Sequence, residues 1–166
     1  MTEWGYFLTG MYFLIMSLDF VDYKLTTRFS VLFSIVFTSQ CIITLVYWPL
    51  LHKEALKMFP DRPQLLFILY TRHIAPLLFL SIDFVINKVI VTAHTLKPTM
   101  MFTYTYLIWN FLATKYRNKP VYDILDFKGF FSVFFVLSVF VLIVLFWRLC
   151  LHLSDLKYEK IDKVKV

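Results

Sequence analysis

Two side chains in this sequence could do covalent chemistry if folding brought them together, Thr9 and His73. A threonine hydroxyl is a poor nucleophile until a base takes its proton. An imidazole, which titrates near neutrality, can take that proton and later hand it to a leaving alcohol. Thr9 stands in the run "FLTG", and His73 in "YTRHIAPLLFLSIDF", residues 70–84, together with Pro76 and Asp83. In water that mixture would be ordinary. In a membrane each polar side chain costs a few kcal/mol and is a functional candidate by default. Each also has a plainer reading. Membrane threonines usually bond back to the preceding turn of their own helix. A lone helical histidine is more often structural than catalytic. Asp83 shares a helix face with Asn87 and could join a polar seam between helices. Asp19 and Asp22 can simply reach water where their segment ends.

His73 and Asp83 are ten residues apart, about 15 Å along one helix, too far to bond each other. Pro76 lacks an amide hydrogen and would leave the Arg72 carbonyl without its helical donor, opening a polar niche beside the imidazole. If the helix instead began near His73, the proline would sit in its first turn and leave no niche. His52, His73, His94 and His152 show no H-x-x-x-H or similar ligand spacing, and Cys41 and Cys150 read as small apolar fillers. No metal and no cofactor is expected.

The elements that must position these groups are legible in the composition. The chain has 166 residues, of which 60% are apolar, 20% aromatic and only 17% charged. A soluble domain is roughly 45–50% apolar. Five apolar segments stand out, near 4–21, 29–51, 65–86, 98–113 and 127–151. A helix needs about 20 residues to cross the hydrocarbon, so the second, third and fifth suffice easily while the first and fourth are marginal. A β-barrel is excluded because its strands alternate polar and apolar residues, whereas these runs are apolar throughout. The expected fold is therefore all-α, a polytopic transmembrane helical bundle of about five spanning helices over residues 1–153. A charged tail, 154–166, follows.

The net charge is +6, and the tail "KYEKIDKVKV" supplies much of it. Basic tails favour the cytosolic side and anionic lipid heads, so the tail is expected in the cytosol and the N-terminus opposite. Nothing resembles a groove-reading module, which argues against nucleic acid as a partner. No cleavable signal peptide is evident.

With five spans, the first and third helices cross in the same direction. Thr9 and His73 then lie roughly 7 and 12 Å from the same face. The loop "TKYRNKPVYDILDFK" falls on that face too, so Thr9, His73, Tyr122 and Asp126 can converge.

Four motifs then line up: Phe7-Leu8-Thr9; His73 ten residues before Asp83 in "HIAPLLFLSID"; "YLIW", Tyr106 to Trp109; and "VYDILD", Val121 to Asp126. Together, from Phe7 through the fifth segment, they resemble the androgen-induced and androgen-dependent family of integral-membrane threonine hydrolases. The tyrosine–aspartate element also resembles the rolling-stone-like membrane proteins of muscle fusion. The resemblance implies hydrolysis of fatty acid esters of hydroxy fatty acids, in the endoplasmic reticulum or plasma membrane. Thr9 would be the nucleophile and His73 the base and then the acid. Asp83, Asn87, Tyr106, Trp109, Asn110, Tyr122 and Asp126 would support the site or line the substrate, with Tyr122 and Asn110 candidates for the oxyanion. The partner is then a lipid substrate delivered by the bilayer. Two departures stand beside this. Family members have about six spans, and their proline lies five residues before the acid, whereas Pro76 lies seven before Asp83. The alternatives are a non-catalytic scaffold or lipid-binding protein, and a small transporter using Asp83 and Asn87.

Overall fold

A computed structural model of the chain describes residues 2–17, 23–87, 89–120, 122 and 125–164, with side chains at all of these except 2, 23–28 and 158–164. Asp19, Asp22, Lys88 and Val121 lie outside the described residues. Every regular element among those described is helical. Helix α1 covers Thr2–Ser17 and α2 covers Tyr23–Val46. A π-helical turn, Tyr47–Leu51, leads into α3, His52–Met58. Helix α4 covers Pro63–Ile86, a short 3-10 turn Ala93–Thr95 precedes α5, Leu96–Arg117, and α6 covers Phe130–Val164.

Local sequence accounts for most of these boundaries. Pro63 starts α4 at a position where its missing N–H costs nothing. The backbone leaves α3 at Phe59, immediately before Pro60, as expected where the proline ring disfavours helical geometry in its predecessor. Helix α5 stops at Asn118, which adopts a left-handed conformation with φ of 53° and closes the helix as asparagine can. Pro49 lies inside the π-helical turn. A proline clashes with the carbonyl one turn back, and widening the turn relieves the clash without ending the helix.

Among the described residues, three stretches are long and apolar enough to cross a membrane: Phe29–Met58, Pro63–Ile86 and Phe130–Lys157. Their outward faces carry large apolar side chains such as Phe67, Val85, Phe130 and Phe131. The protein is thus an all-α bundle with a greasy exterior, a membrane protein. Each of the five apolar segments forms a helix among the described residues. Among the described residues, α1 with its 16 residues and α5, with Lys97, Lys115, Arg117 and a polar inner face of Thr99, Thr103, Tyr106 and Asn110, are not long and apolar enough to cross. The tail does not break from the last helix, which runs on to Val164 with neither glycine nor proline to stop it.

Helix α2 is the hub and packs against α1, α4, α5 and α6. About two thirds of its apolar window is buried (67%), against 17% and 22% for the other two candidate spans. Beside large apolar residues such as Phe33 and Ile42, its inner face carries small or polar ones, Ser30, Ser34, Thr38, Ser39 and Gln40. Between membrane helices, association depends on close packing and hydrogen bonds because lipid is as apolar as leucine. Ser34 meets Thr99 of α5 at 3.1 Å, and Trp147 of α6 donates to the Thr95 hydroxyl at 2.9 Å. An aromatic and aliphatic core of Tyr12, Phe33, Leu80, Phe84 and Trp147 fills one end, and Ile42, Val139 and Ile143 fill the α2–α6 contact.

Candidate functional site

His73 is 4% exposed. Its ring stacks face to face on Tyr47, with centroids 3.8 Å apart and planes 10° from parallel. The π-helical turn presents Tyr47 for that stack. Such turns cluster at functional sites because they re-aim a side chain within an otherwise regular helix. Helix α4 runs unbroken through Pro76, so the proline is internal. One residue along from the carbonyl it strands, the His73 carbonyl accepts the Thr44 hydroxyl of α2 at 2.6 Å. His73 Nδ1 is buried without a hydrogen-bond partner among the described residues, as are the Tyr47 hydroxyl and His52 Nδ1 nearby. An unpaired buried polar atom is costly, and several together are unusual in a region serving packing alone.

Two cavities meet at this histidine. The inner one, about 240 Å³, is walled mainly by apolar groups of α2, α5 and α6, among them Ile42, Ile43, Val46, Leu107 and Val139. The outer recess, about 640 Å³, adds Glu3, Arg72, Trp109, Asn110 and Arg117. His73, Tyr106, Tyr122, Leu51 and Glu54 line both. The combined space is shaped for an amphiphile, with an apolar interior and a polar mouth.

Thr9 is buried on α1, outside the walls of both cavities. Its hydroxyl donates to the Gly5 carbonyl at 2.7 Å, the back-bond common for membrane threonines, and accepts from Gln40 Nε2 at 2.9 Å. It makes no hydrogen bond with His73. The two groups are therefore not hydrogen-bonded in this conformation. Gly5 explains how α1 comes so near α2. A Cβ there would lie 2.5 Å from Ile43 Cδ1 and 3.1 Å from Gln40 Nε2.

The remaining expected residues divide between two places. Tyr106, Trp109, Asn110 and Tyr122 gather around His73 as cavity wall. The Asn110 side chain bonds the Tyr106 carbonyl at 2.8 Å, and its oxygen accepts the Tyr106 hydroxyl at 3.3 Å. Asp126 lines neither cavity. Its carboxylate accepts the Lys128 and Gly129 amides at 2.9 and 3.3 Å, and those two N–H groups hold it below the ordinary carboxylate range. Asp83 and Asn87 also stand apart from the cavities. The Tyr12 hydroxyl donates to Asp83 at 2.5 Å, and the Asn87 amide donates to its other oxygen. Lys157 of α6 closes this end by donating to the carbonyls of Phe84 (2.6 Å), Asn87 and Val89, with its ammonium 4.9 Å from the Phe84 ring centre. That is the polar seam expected of Asp83, and it acts as a clamp among α1, α4 and α6.

Known proteins give no guide here. No family model, no curated protein and no solved structure matches the chain. The site must be read from its own geometry. Sequence reasoning missed Tyr47 and Gln40. Tyr47 carries no polar warning, because aromatic residues are common throughout the chain. Gln40 does: an amide inside "VFTSQCIITLV" is as anomalous in lipid as an imidazole, and the same cost argument singles it out.

Proposed function

We propose that this protein is a multi-pass membrane hydrolase of lipid esters, with His73 as general base and Thr9 as nucleophile. Fatty acid esters of hydroxy fatty acids are the favoured substrate class, and the endoplasmic reticulum or plasma membrane the favoured site. One observation carries the reading: a buried imidazole, clamped by an aromatic stack and with an unpaired ring nitrogen, stands where an apolar cavity meets a polar mouth. An acyl chain fits the first and an ester or carboxylate the second. In the reaction Thr9 Oγ1 forms a bond to the ester carbonyl carbon as its proton passes to His73. The tetrahedral adduct collapses, the ester C–O bond breaks, and the leaving alkoxide takes the proton from His73. Water, giving its proton to His73, then bonds to the acyl carbon; the acyl C–Oγ1 bond breaks, the acid leaves, and Thr9 Oγ1 takes the proton back from His73. The reading requires Thr9 to exchange the Gly5 carbonyl for His73, directly or through one water.

The engaged Thr9 hydroxyl favours a second reading, a lipid-binding protein with no turnover. Asp83 and Asn87 line neither of the two cavities at His73, so those cavities lend the transporter reading no support. A fluorophosphonate probe separates the first two. The hydrolase labels, and Thr9→Ala and His73→Ala each abolish labelling without loss of fold. Equal labelling of both variants removes the assignment, and absence of labelling in every form favours the binding protein.

A further inference from the structure

The geometry points to Gln40 as the oxyanion donor of this site, a catalytic residue beside Thr9. This rests on Thr9 being the nucleophile. Three observations carry it. Gln40 is 1% exposed, and its Nε2 lies 2.9 Å from the Thr9 oxygen. That nitrogen carries two hydrogens, and Thr9 uses one; no second acceptor lies on it among the described residues. Its carbonyl oxygen is buried and unpartnered among them. An apolar residue at position 40 would fill the same space between α1 and α2 without burying an amide that the surroundings satisfy only in part. The amide is thus misplaced for packing and well placed for chemistry.

The chemistry follows from that spacing. When Thr9 Oγ1 bonds to the ester carbon and its proton goes to His73, the carbonyl π pair moves onto oxygen. That oxygen is then two bonds from Oγ1, next to the free N–H of Gln40. Gln40 donates a hydrogen bond to it and transfers no proton. When the adduct collapses, the pair returns to re-form the carbonyl as the ester C–O bond breaks. A fixed amide in a water-excluded place stabilises the charge that develops only in the transition state. Gly5 is the local enabling feature, since a side chain there would press on Gln40 Nε2. Gln40 and Ile43 lie one turn apart on α2; Ile43 forms part of the inner cavity wall, and Gln40 stands one turn behind it, outside that wall.

The test uses the full chain in nanodiscs, with a long-chain ester as substrate and the trifluoromethyl ketone of the same acyl chain as the adduct mimic. Gln40→Met removes both amide groups at similar length. Gln40→Glu keeps the side-chain shape but loses the amide N–H that Thr9 accepts and the second N–H beside it. In both, kcat is expected to fall about 100- to 1000-fold with KM changed by less than about twofold. The inhibition constant of the ketone is expected to rise by the same factor as kcat/KM falls, with the melting temperature held. Wild-type kcat in either variant overturns the assignment. So does a fall in kcat with unchanged ketone affinity, which marks lost packing. A wild-type protein that turns over no ester overturns the hydrolase reading itself. Ester turnover that survives Thr9→Ala keeps the hydrolase but removes both Thr9 and Gln40 from its mechanism.

Discussion

The α1–α2 contact at Gly5 permits a sharp test of the packing around Thr9. In Gly5→Ala the added methyl would lie 2.5 Å from Ile43 Cδ1, so something must move. Ala gains about 0.5–1 kcal/mol over Gly within a helix. Overpacking costs about 1–3 kcal/mol. Ile43 Cδ1 is the free end of its side chain and borders the inner cavity of about 240 Å³, so it has room to swing, and the lower half of that range applies. The helical gain offsets part of the crowding, and the single variant is then destabilised by about 0–1.5 kcal/mol. Ile43→Val removes the clashing methyl and alone costs about 0.5–1.5 kcal/mol. In the double variant the 2.5 Å clash falls away; the milder 3.1 Å approach to Gln40 Nε2 stays, against the far end of a flexible side chain, and the helical gain remains. The double should therefore be no less stable than Ile43→Val alone, with a favourable coupling of about 1–2 kcal/mol. SDS-driven unfolding in mixed micelles, followed by tryptophan fluorescence, measures all four corners of the cycle. Additivity within about 0.5 kcal/mol would show that the two residues do not meet as described.

Three further outcomes are expected. Tyr12→Phe strips the buried Asp83 of its 2.5 Å donor and should cost about 1.5–3 kcal/mol in the same unfolding assay; a loss under about 0.5 kcal/mol would mean that Asp83 is served from elsewhere. Glu3→Gln breaks the 3.3 Å pair with Arg72, but the two side chains are 81% and 50% exposed, so stability should change by less than about 1 kcal/mol. Asp126 has its folded pKa depressed by two backbone amides, so its hold on the turn is complete above the unfolded value of about 3.8 and is lost as pH falls through the lower, folded value. Its carboxyl carbon should titrate below 3.8 by NMR, and a midpoint at or above that figure would contradict the capping geometry.

Much of the fold could be read in the sequence because apolar runs of this length admit one solution in lipid, the helix with all its backbone bonds inside itself. Hence each of the five segments forms a helix among the described residues. Of the residues gathered around His73, the depth argument pointed to Tyr122; Tyr106, Trp109 and Asn110 were reached only through the motif resemblance. The Thr9 contact was not legible. Depth along two helices fixes level but not rotation, and rotation decides whether a side chain turns to α4 or to α2. Gly5 settles it by drawing α1 onto Gln40. Asp126 was misplaced for a related reason: its two nearest amides lie in its own turn, and short-range capping outcompetes a distant histidine. The stack of Tyr47 on His73 depends on one extra residue in a helical turn, which no apolar periodicity reports.

The central place of α2 has a consequence for how the chain is made. Ser34 waits for Thr99, and Thr44 for the carbonyl of His73, partners synthesised 65 and 29 positions later. Until they arrive, those hydroxyls can bond only back to the turn of α2 that carries them. The second helix thus completes its grip on the bundle only when α5 is made, and a chain cut short before α5 keeps α2 without the Thr99 contact.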